Sequence, residues 1–235
     1  MIDVTKRLFN FEDGEVLLVN KPLGWTSFDV VNKLRYACGV KKIGHAGTLD
    51  PMATGLLIIC IGRNATRRID EYQGMDKEYT GTFFLGATTP SYDREKEPDR
   101  FFDIGHITPA QLQQAARTLS GSYEQEPPIF SAIKVDGNPL YIKARKGVEV
   151  EVKKRPVTIH EFELCSIELP LVHVRIVCSK GTYIRSIASD FGKQLQSGAY
   201  LYALHRTKIG NFSIENAWEL PDLVKAVSPY KNMPQ

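Results

Sequence analysis

The chain has 235 residues, 43% hydrophobic and 24% charged, with a formal net charge of +3; these are the proportions of an ordinary folded protein able to bury a full core. No stretch reaches the roughly 18 apolar residues that a membrane-spanning helix needs, and Met1-Ile-Asp-Val-Thr-Lys-Arg lacks the apolar region of a secretory signal. Cys38, Cys60, Cys165 and Cys178 are scattered with no Cys-x-x-Cys pair. That argues against a zinc site or a disulfide framework and for reduced thiols in a cytoplasmic protein. The mild basicity permits a nucleic-acid partner without requiring one.

Glu15–Asn20 reads as a strand, closed by the turn Lys21-Pro-Leu-Gly-Trp-Thr-Ser27. Thr26 or Ser27 caps the helix that follows, whose apolar face is Phe28, Val31, Leu34 and Cys38 and whose stop is Gly39. Next comes a turn-rich loop, Gly44-His-Ala-Gly-Thr-Leu-Asp-Pro-Met-Ala-Thr-Gly-Leu-Leu57, running into the apolar strand Leu56–Ile61. Pro51 holds Asp50 on extended or turning backbone, so a single carboxylate stands at the mouth of a buried strand. That arrangement suits a reactive site; it equally suits an Asp-Pro turn capping its own amides. Tyr79, Gly81, Phe83 and Leu85 alternate onto one face of a strand. Residues 91–103 are charge-mixed and read as a surface loop. Thr108 caps a helix with Pro109 in its first turn and Leu112, Ala115, Ala116 and Leu119 as its stripe, ended by Gly121.

Residues 131–155 hold seven basic and three acidic side chains, a net +4 that exceeds the charge of the whole chain, so positive charge is concentrated there. Leu171–Cys178 alternates like a strand. Thr182 is placed to cap a helix with Ile184, Ile187, Ala188, Phe191 and Leu195 on its apolar side. Arg185 falls off that stripe in the first turn, where a cation opposes the helix dipole and calls for an anionic neighbour, or else extends a solvated head into water. There are no internal repeats, phosphate-cradling glycine loops or metal-ligand clusters.

The segment Gly44–Leu57 closely resembles the catalytic motif of the TruB-type tRNA pseudouridine synthases and of their archaeal and eukaryotic relatives that use guide RNAs. Four further stretches resemble that family in order: Lys21–Ser27, Lys77–Gly86, Glu126–Gly147 and Cys178–Ser186, with Leu201–Phe212 similar to its closing strand. The resemblance implies an α+β pseudouridine synthase fold, a mixed, mostly antiparallel sheet flanked by helices, as one catalytic domain over residues 1–235. An RNA-gripping arm is inserted at about 124–155, and the chain has no room for the family's C-terminal PUA domain. It implies that Asp50 is catalytic, that Tyr79, Tyr183 and Leu204 lie against the target base, and that Arg185 pairs with the catalytic carboxylate. His45 is implied to contact RNA. Lys21 falls in a turn that the family places beside the active site, open either to a phosphate contact or to a solvated position. Lys134, Lys143 and Arg145 would grip RNA through the arm.

The expected reaction is isomerisation of uridine 55 in the tRNA T-loop, which calls for no cofactor and no metal. The expected partner is the T-arm of tRNA, bound by a monomer without a protein partner or a membrane. A synthase of another RNA, or a non-catalytic module that folds the T-arm, are the competing readings.

Overall fold

The computed structural model describes residues 8–131, 134–135, 138–139 and 153–232. The chain divides into two compact units, residues 1–79 with 205–235, and residues 80–204. Among the described residues no helix is long and apolar enough to cross a membrane.

The first unit begins with β1 (Glu15–Lys21), α1 (Ser27–Cys38), β2 (Ile43–Ala46) and β3 (Ala53–Ile61). Helices α2 (Arg63–Thr66) and α3 (Ile69–Gly74) follow, and β4 (Lys77–Leu85) leaves the unit after Tyr79. β1 runs antiparallel to β3, from Glu15 opposite Ile61 to Lys21 opposite Gly55, and β2 pairs with the far end of β3 at Ile43–Ile61. Residues 56–61 of β3 have no exposed surface at all. Leu57, Ile59 and Ile61 enter one core cluster with α1, and Leu56, Ile58 and Cys60 enter another with Ala65 and Tyr72. An unbroken apolar run is what a strand covered on both faces demands.

α1 starts where its sequence signals it. Thr26 accepts from the Asp29 amide while Asp29 accepts from the Thr26 amide, and Gly39 closes the helix at φ +76°. One expectation fails here: Phe28 is 59% exposed, and the buried face runs through Val30, Val31, Leu34, Ala37 and Cys38. Residue 28 lies in the first turn on the water side of that stripe.

The second unit takes the rest of β4, then β5 (Ala87–Thr88), β6 (Arg100–Phe101), α4 (Pro109–Thr118) and β7 (Gly121–Gln125). A short pair, β8 (Lys134–Val135) and β9 (Asn138–Pro139), precedes the long antiparallel strands β10 (Arg155–Glu168) and β11 (Leu171–Cys178). Next come α5 (Ile184–Gln194) and β12 (Ala199–Ile209), which passes into the first unit at His205. Its core is aromatic: Phe191 packs against Phe83 and Phe162 at 5.7 and 5.6 Å between ring centroids. The chain ends in the first unit with β13 (Phe212–Ser213), β14 (Trp218–Glu219) and α6 (Leu220–Val227), the last packed on α1.

Strand order is β14-β1-β3-β12 in the first unit and β12-β4-β11-β10-β7 in the second. The described pairings are antiparallel except β1 with β14, so the expected mixed, mostly antiparallel sheet with flanking helices is present. Three of the four cysteines, Cys38, Cys60 and Cys178, are buried free thiols; Cys165 is exposed.

Gly55 marks one of the tightest places in the first unit. Its φ is +107°, and a Cβ there would stand 2.4 Å from the Arg206 carbonyl oxygen and 2.6 Å from the Arg206 nitrogen. Gly24 has a similar φ of +80° but open space around it. Gly55→Ala is therefore expected to cost at least about 3 kcal/mol, strain plus backbone collision. Gly24→Ala, strain alone, should cost about 1 kcal/mol. Urea unfolding midpoints measure both.

Candidate functional site

The loop ahead of β3 is held from three directions within the first unit. Ser27, the first residue of α1, accepts from the Leu49 amide at 2.9 Å and donates to the Leu49 carbonyl at 3.2 Å. The Gly24 amide donates to the Pro51 carbonyl at 2.8 Å, and the Ala53 amide to the Asp50 carbonyl at 3.0 Å. From β12, Arg206 donates through Nε to the Leu56 carbonyl at 2.7 Å and through a terminal nitrogen to the Gly47 carbonyl at 2.9 Å. Asp50, half-buried, sits between the Ser27 staple and the Pro51 bond. Its carboxylate is thus carried on backbone with little freedom to move.

Beneath the loop lie two cations with almost no surface, Lys21 at 0% and Arg206 at 1% exposure. Lys21 Nζ donates to the carbonyls of Pro22 at 3.0 Å and Trp25 at 2.6 Å. Burial lowers its pKa from 10.5 to about 8 against the opposing pull of the Asp50 carboxylate, with Arg206 adding repulsion. Lys21 is thus neither a solvated turn lysine nor an outward-facing phosphate contact. Its charge is turned inward, onto its own turn and toward Asp50. Sequence reasoning misses Arg206 because it stands among the polar residues His205, Thr207 and Lys208, where one more cation carries no signal of burial.

His45 projects from β2 with its Nδ1 buried and without a hydrogen-bond partner among the described residues. Burial, and secondarily the Arg206 charge, lower its pKa, so the ring is neutral at physiological pH. His205 is likewise lowered by burial and shares a 2.8 Å hydrogen bond with Thr54. Tyr79, at 8% exposure, is nearly buried in β4.

The remaining expected residues belong to the second unit. Arg185 is 4% exposed, which excludes the solvated alternative. Its guanidinium lies 3.5 Å from the Asp93 carboxylate and donates to the carbonyls of Ser91 at 3.3 Å and Phe130 at 3.1 Å. Asp93 also accepts from the Ser91 hydroxyl at 2.7 Å and the Glu95 amide at 3.0 Å. The anionic neighbour that the helix dipole calls for thus includes Asp93, from a stretch read as a surface loop. Ser91 and Asp93 are core residues, at 1% and 3% exposure. An unpatterned sequence hides them because each is buried by polar bonds, not by an apolar stripe.

α5 is capped differently from expectation. The Thr182 hydroxyl donates to the Ser179 carbonyl, and the N-cap is Tyr183. Buried Gln125 takes over: its Oε1 accepts from the Tyr183 amide at 2.8 Å and its Nε2 donates to the Tyr183 carbonyl at 3.2 Å. Ser186 then donates to the Glu126 carbonyl at 2.8 Å. The root of the basic arm is thereby fixed to the helix turn that carries Tyr183 and Arg185. Leu204 is half-buried on β12, beside Gly81 of β4. Of the arm's basic residues, Lys134 lies on β8, and Lys143 and Arg145 lie outside the described residues. Among the described residues no three His, Cys, Asp or Glu side chains converge as metal ligands.

Residues 35–184 match the TruB family pseudouridylate synthase (N terminal domain). The tRNA pseudouridine synthase B of Flavobacterium johnsoniae is 54% identical over 215 residues, covering 88% of this chain and 93% of that one. That of Chloroherpeton thalassium is 48% identical over 220 residues, covering 92% and 91%. Among solved structures, the chain resembles one in a Cbf5-Nop10-Gar1 complex with a TM-score of 0.71 and 27% identity, covering 92% of this chain and 54% of that one. This chain therefore spans about half the length of that solved chain.

Two outcomes follow from the buried cations and the neutral histidine. Lys21→Met leaves the Pro22 and Trp25 carbonyls without their donor and is expected to cost about 2 kcal/mol, a fall of roughly 4–8 °C in melting temperature. For His45, whose folded pKa lies below 6.5, the unfolded chain gains a proton that the folded one refuses. Stability is therefore lost as pH falls through 6.5 and levels off once the folded histidine also protonates. His45→Asn should flatten part of that acid limb, read from urea unfolding between pH 7.5 and 5.

Proposed function

This chain belongs to the TruB family of pseudouridine synthases and forms pseudouridine in tRNA, and from that premise we propose that its target is uridine 55 of the T-loop and that Asp50 is the catalytic carboxylate. The observation that carries the assignment is the placement of Asp50: a half-buried carboxylate on a stapled loop, within electrostatic reach of the buried Lys21 ammonium. The reaction breaks the C1′–N1 bond of uridine and makes a C1′–C5 bond; C5 gives up a proton and N1 gains one. Nothing is oxidised or reduced.

The target base must leave its stack to be turned over in this way, at a cost of a few kcal/mol. We assign Tyr79, Tyr183 and Leu204 to contact with the extruded base, where aromatic and apolar surface restores roughly 1–3 kcal/mol of lost stacking. Asp50 then acts on the sugar as the catalytic carboxylate, either as a covalent catalyst that adds to it or as a base that takes a proton from it. An ionised carboxylate serves either route. Arg185 is assigned to contact with the target base. His45, neutral and hydrogen-bond competent, is assigned to RNA contact, and the arm's Lys134, Lys143 and Arg145 to the phosphate backbone. Lys21 is reassigned from RNA contact to positioning of the Asp50 loop. A monomer acting without a protein partner, in the cytoplasm, completes the proposal.

Asp50→Asn is expected to lower kcat on a T-arm hairpin at least about 10²-fold while leaving hairpin affinity within about twofold. Tritium release from uridine C5, with pseudouridine mapped in the product, measures it. A loss smaller than tenfold, or product at another position, would overturn the assignment.

A further inference from the structure

At the end of β3 opposite the Asp50 loop, the first unit opens into a cleft of about 640 Å³. Its walls are the segments flanking three strands that converge there: residues 9–12 before β1, 39–42 before β2, and 62–63 after β3. Lys41, Lys42 and Arg63 line it with exposed side chains, against a single acid, Glu12. Among the described residues none of the three cations is held by a carboxylate. One wall is aromatic: Phe11 and Tyr230, both half-buried, meet edge to face at 5.4 Å between ring centroids. None of these residues takes part in the chemistry assigned above.

Free cations beside partly exposed rings match the needs of an unpaired nucleotide, whose phosphate seeks charge and whose base seeks a face. The volume lies within the roughly 300–1,000 Å³ of small-ligand pockets. Distance decides which nucleotide. β3 has nine residues, from Ala53 beside the reactive loop to Ile61 beside the cleft. At about 3.3 Å per residue the two ends are roughly 26 Å apart. Neighbouring nucleotides are about 3.4 Å apart along a stacked strand, so the span is roughly eight nucleotides, past a hairpin loop and into its paired stem; an unpaired nucleotide at the cleft then comes from elsewhere in the folded RNA.

We propose that this cleft is a second RNA subsite, which takes an unpaired nucleotide of tRNA from outside the arm that carries the target uridine. The proposal rests on the T-arm reading only for its choice of control substrate. It gives the catalytic unit its own hold on the folded tRNA, separate from the basic arm.

The test compares full-length unmodified tRNA with a T-arm hairpin. The variants are Lys41→Ala/Lys42→Ala/Arg63→Ala and Phe11→Leu, with Lys33→Ala/Lys225→Ala as a charge control on the same unit. For the triple variant, the tRNA Kd is expected to rise about tenfold, and the slope of log Kd against log salt to fall by about 2. Its kcat at saturation and its hairpin Kd should stay within about twofold of wild type. Phe11→Leu should raise the tRNA Kd about threefold with the salt slope unchanged, since it removes a ring and no charge. Equal losses on tRNA and hairpin, no loss on either, or an equal loss per charge in the control pair would overturn the proposal. If the wild-type protein fails to modify the hairpin, the T-arm reading falls. The tRNA Kd, its salt slope and the control pair then decide the cleft by themselves.

Discussion

Two cations without access to water, Lys21 and Arg206, underlie the arrangement of the first unit. Burying a charge costs several kcal/mol unless its donors are taken up, and here backbone carbonyls take them up. Arg206 reaches Gly47 and Leu56; Lys21 reaches Pro22 and Trp25. The carbonyls so used belong to the Asp50 loop with the strand it enters, and to the turn tied to it through Gly24 and Pro51. The guanidinium offers donors in a rigid fork, so it fixes direction as well as distance. A neutral side chain of equal size would fill the space without pinning the loop. The same charges make the ground beneath Asp50 electropositive, so one device supplies both rigidity and field.

The second unit repeats the principle with a different balance. Arg185 is buried beside a carboxylate, Asp93, and also holds the Ser91 and Phe130 carbonyls. Asp93 is itself satisfied by a hydroxyl and an amide, which is the condition under which a buried ion pair is tolerated. Gln125 and Ser186 fasten the root of the arm to the same helix turn. Gln125, Glu126 and Phe130, just ahead of the basic stretch, therefore share one hydrogen-bonded cluster with the turn that carries Arg185.

Much of the scaffold was legible because it obeys local rules. The Thr26–Asp29 capping box, the Gly39 stop, the Thr108–Pro109 start and the apolar run of β3 all appear where their residues place them. The failures share a cause. Phe28 lies off its helix's buried stripe, the Thr182 hydroxyl is spent on the Ser179 carbonyl, and residues 91–103 conceal a buried Asp93. In each case a residue's fate depends on a partner that local periodicity does not reveal. Gln125 as the clamp on Tyr183, 58 positions away, is the plainest example.

The candidate residues divide along the same line. Asp50, Tyr79, Tyr183, Arg185 and Leu204 are candidates through motifs in short strings, and those same motifs made membership of the family legible from the chain alone. The sequence by itself also determined that a lone carboxylate stands at the head of a strand with no exposed surface. Only tertiary structure decided that Lys21 faces inward, that Arg206 supports the loop from β12, that Asp93 is an acid beside Arg185, and that cations and rings meet in a cleft at the far end of β3. The physical reason is that the burial of a charge is a property of its surroundings: lysine and arginine read the same in a sequence whether water or a ring of carbonyls awaits them.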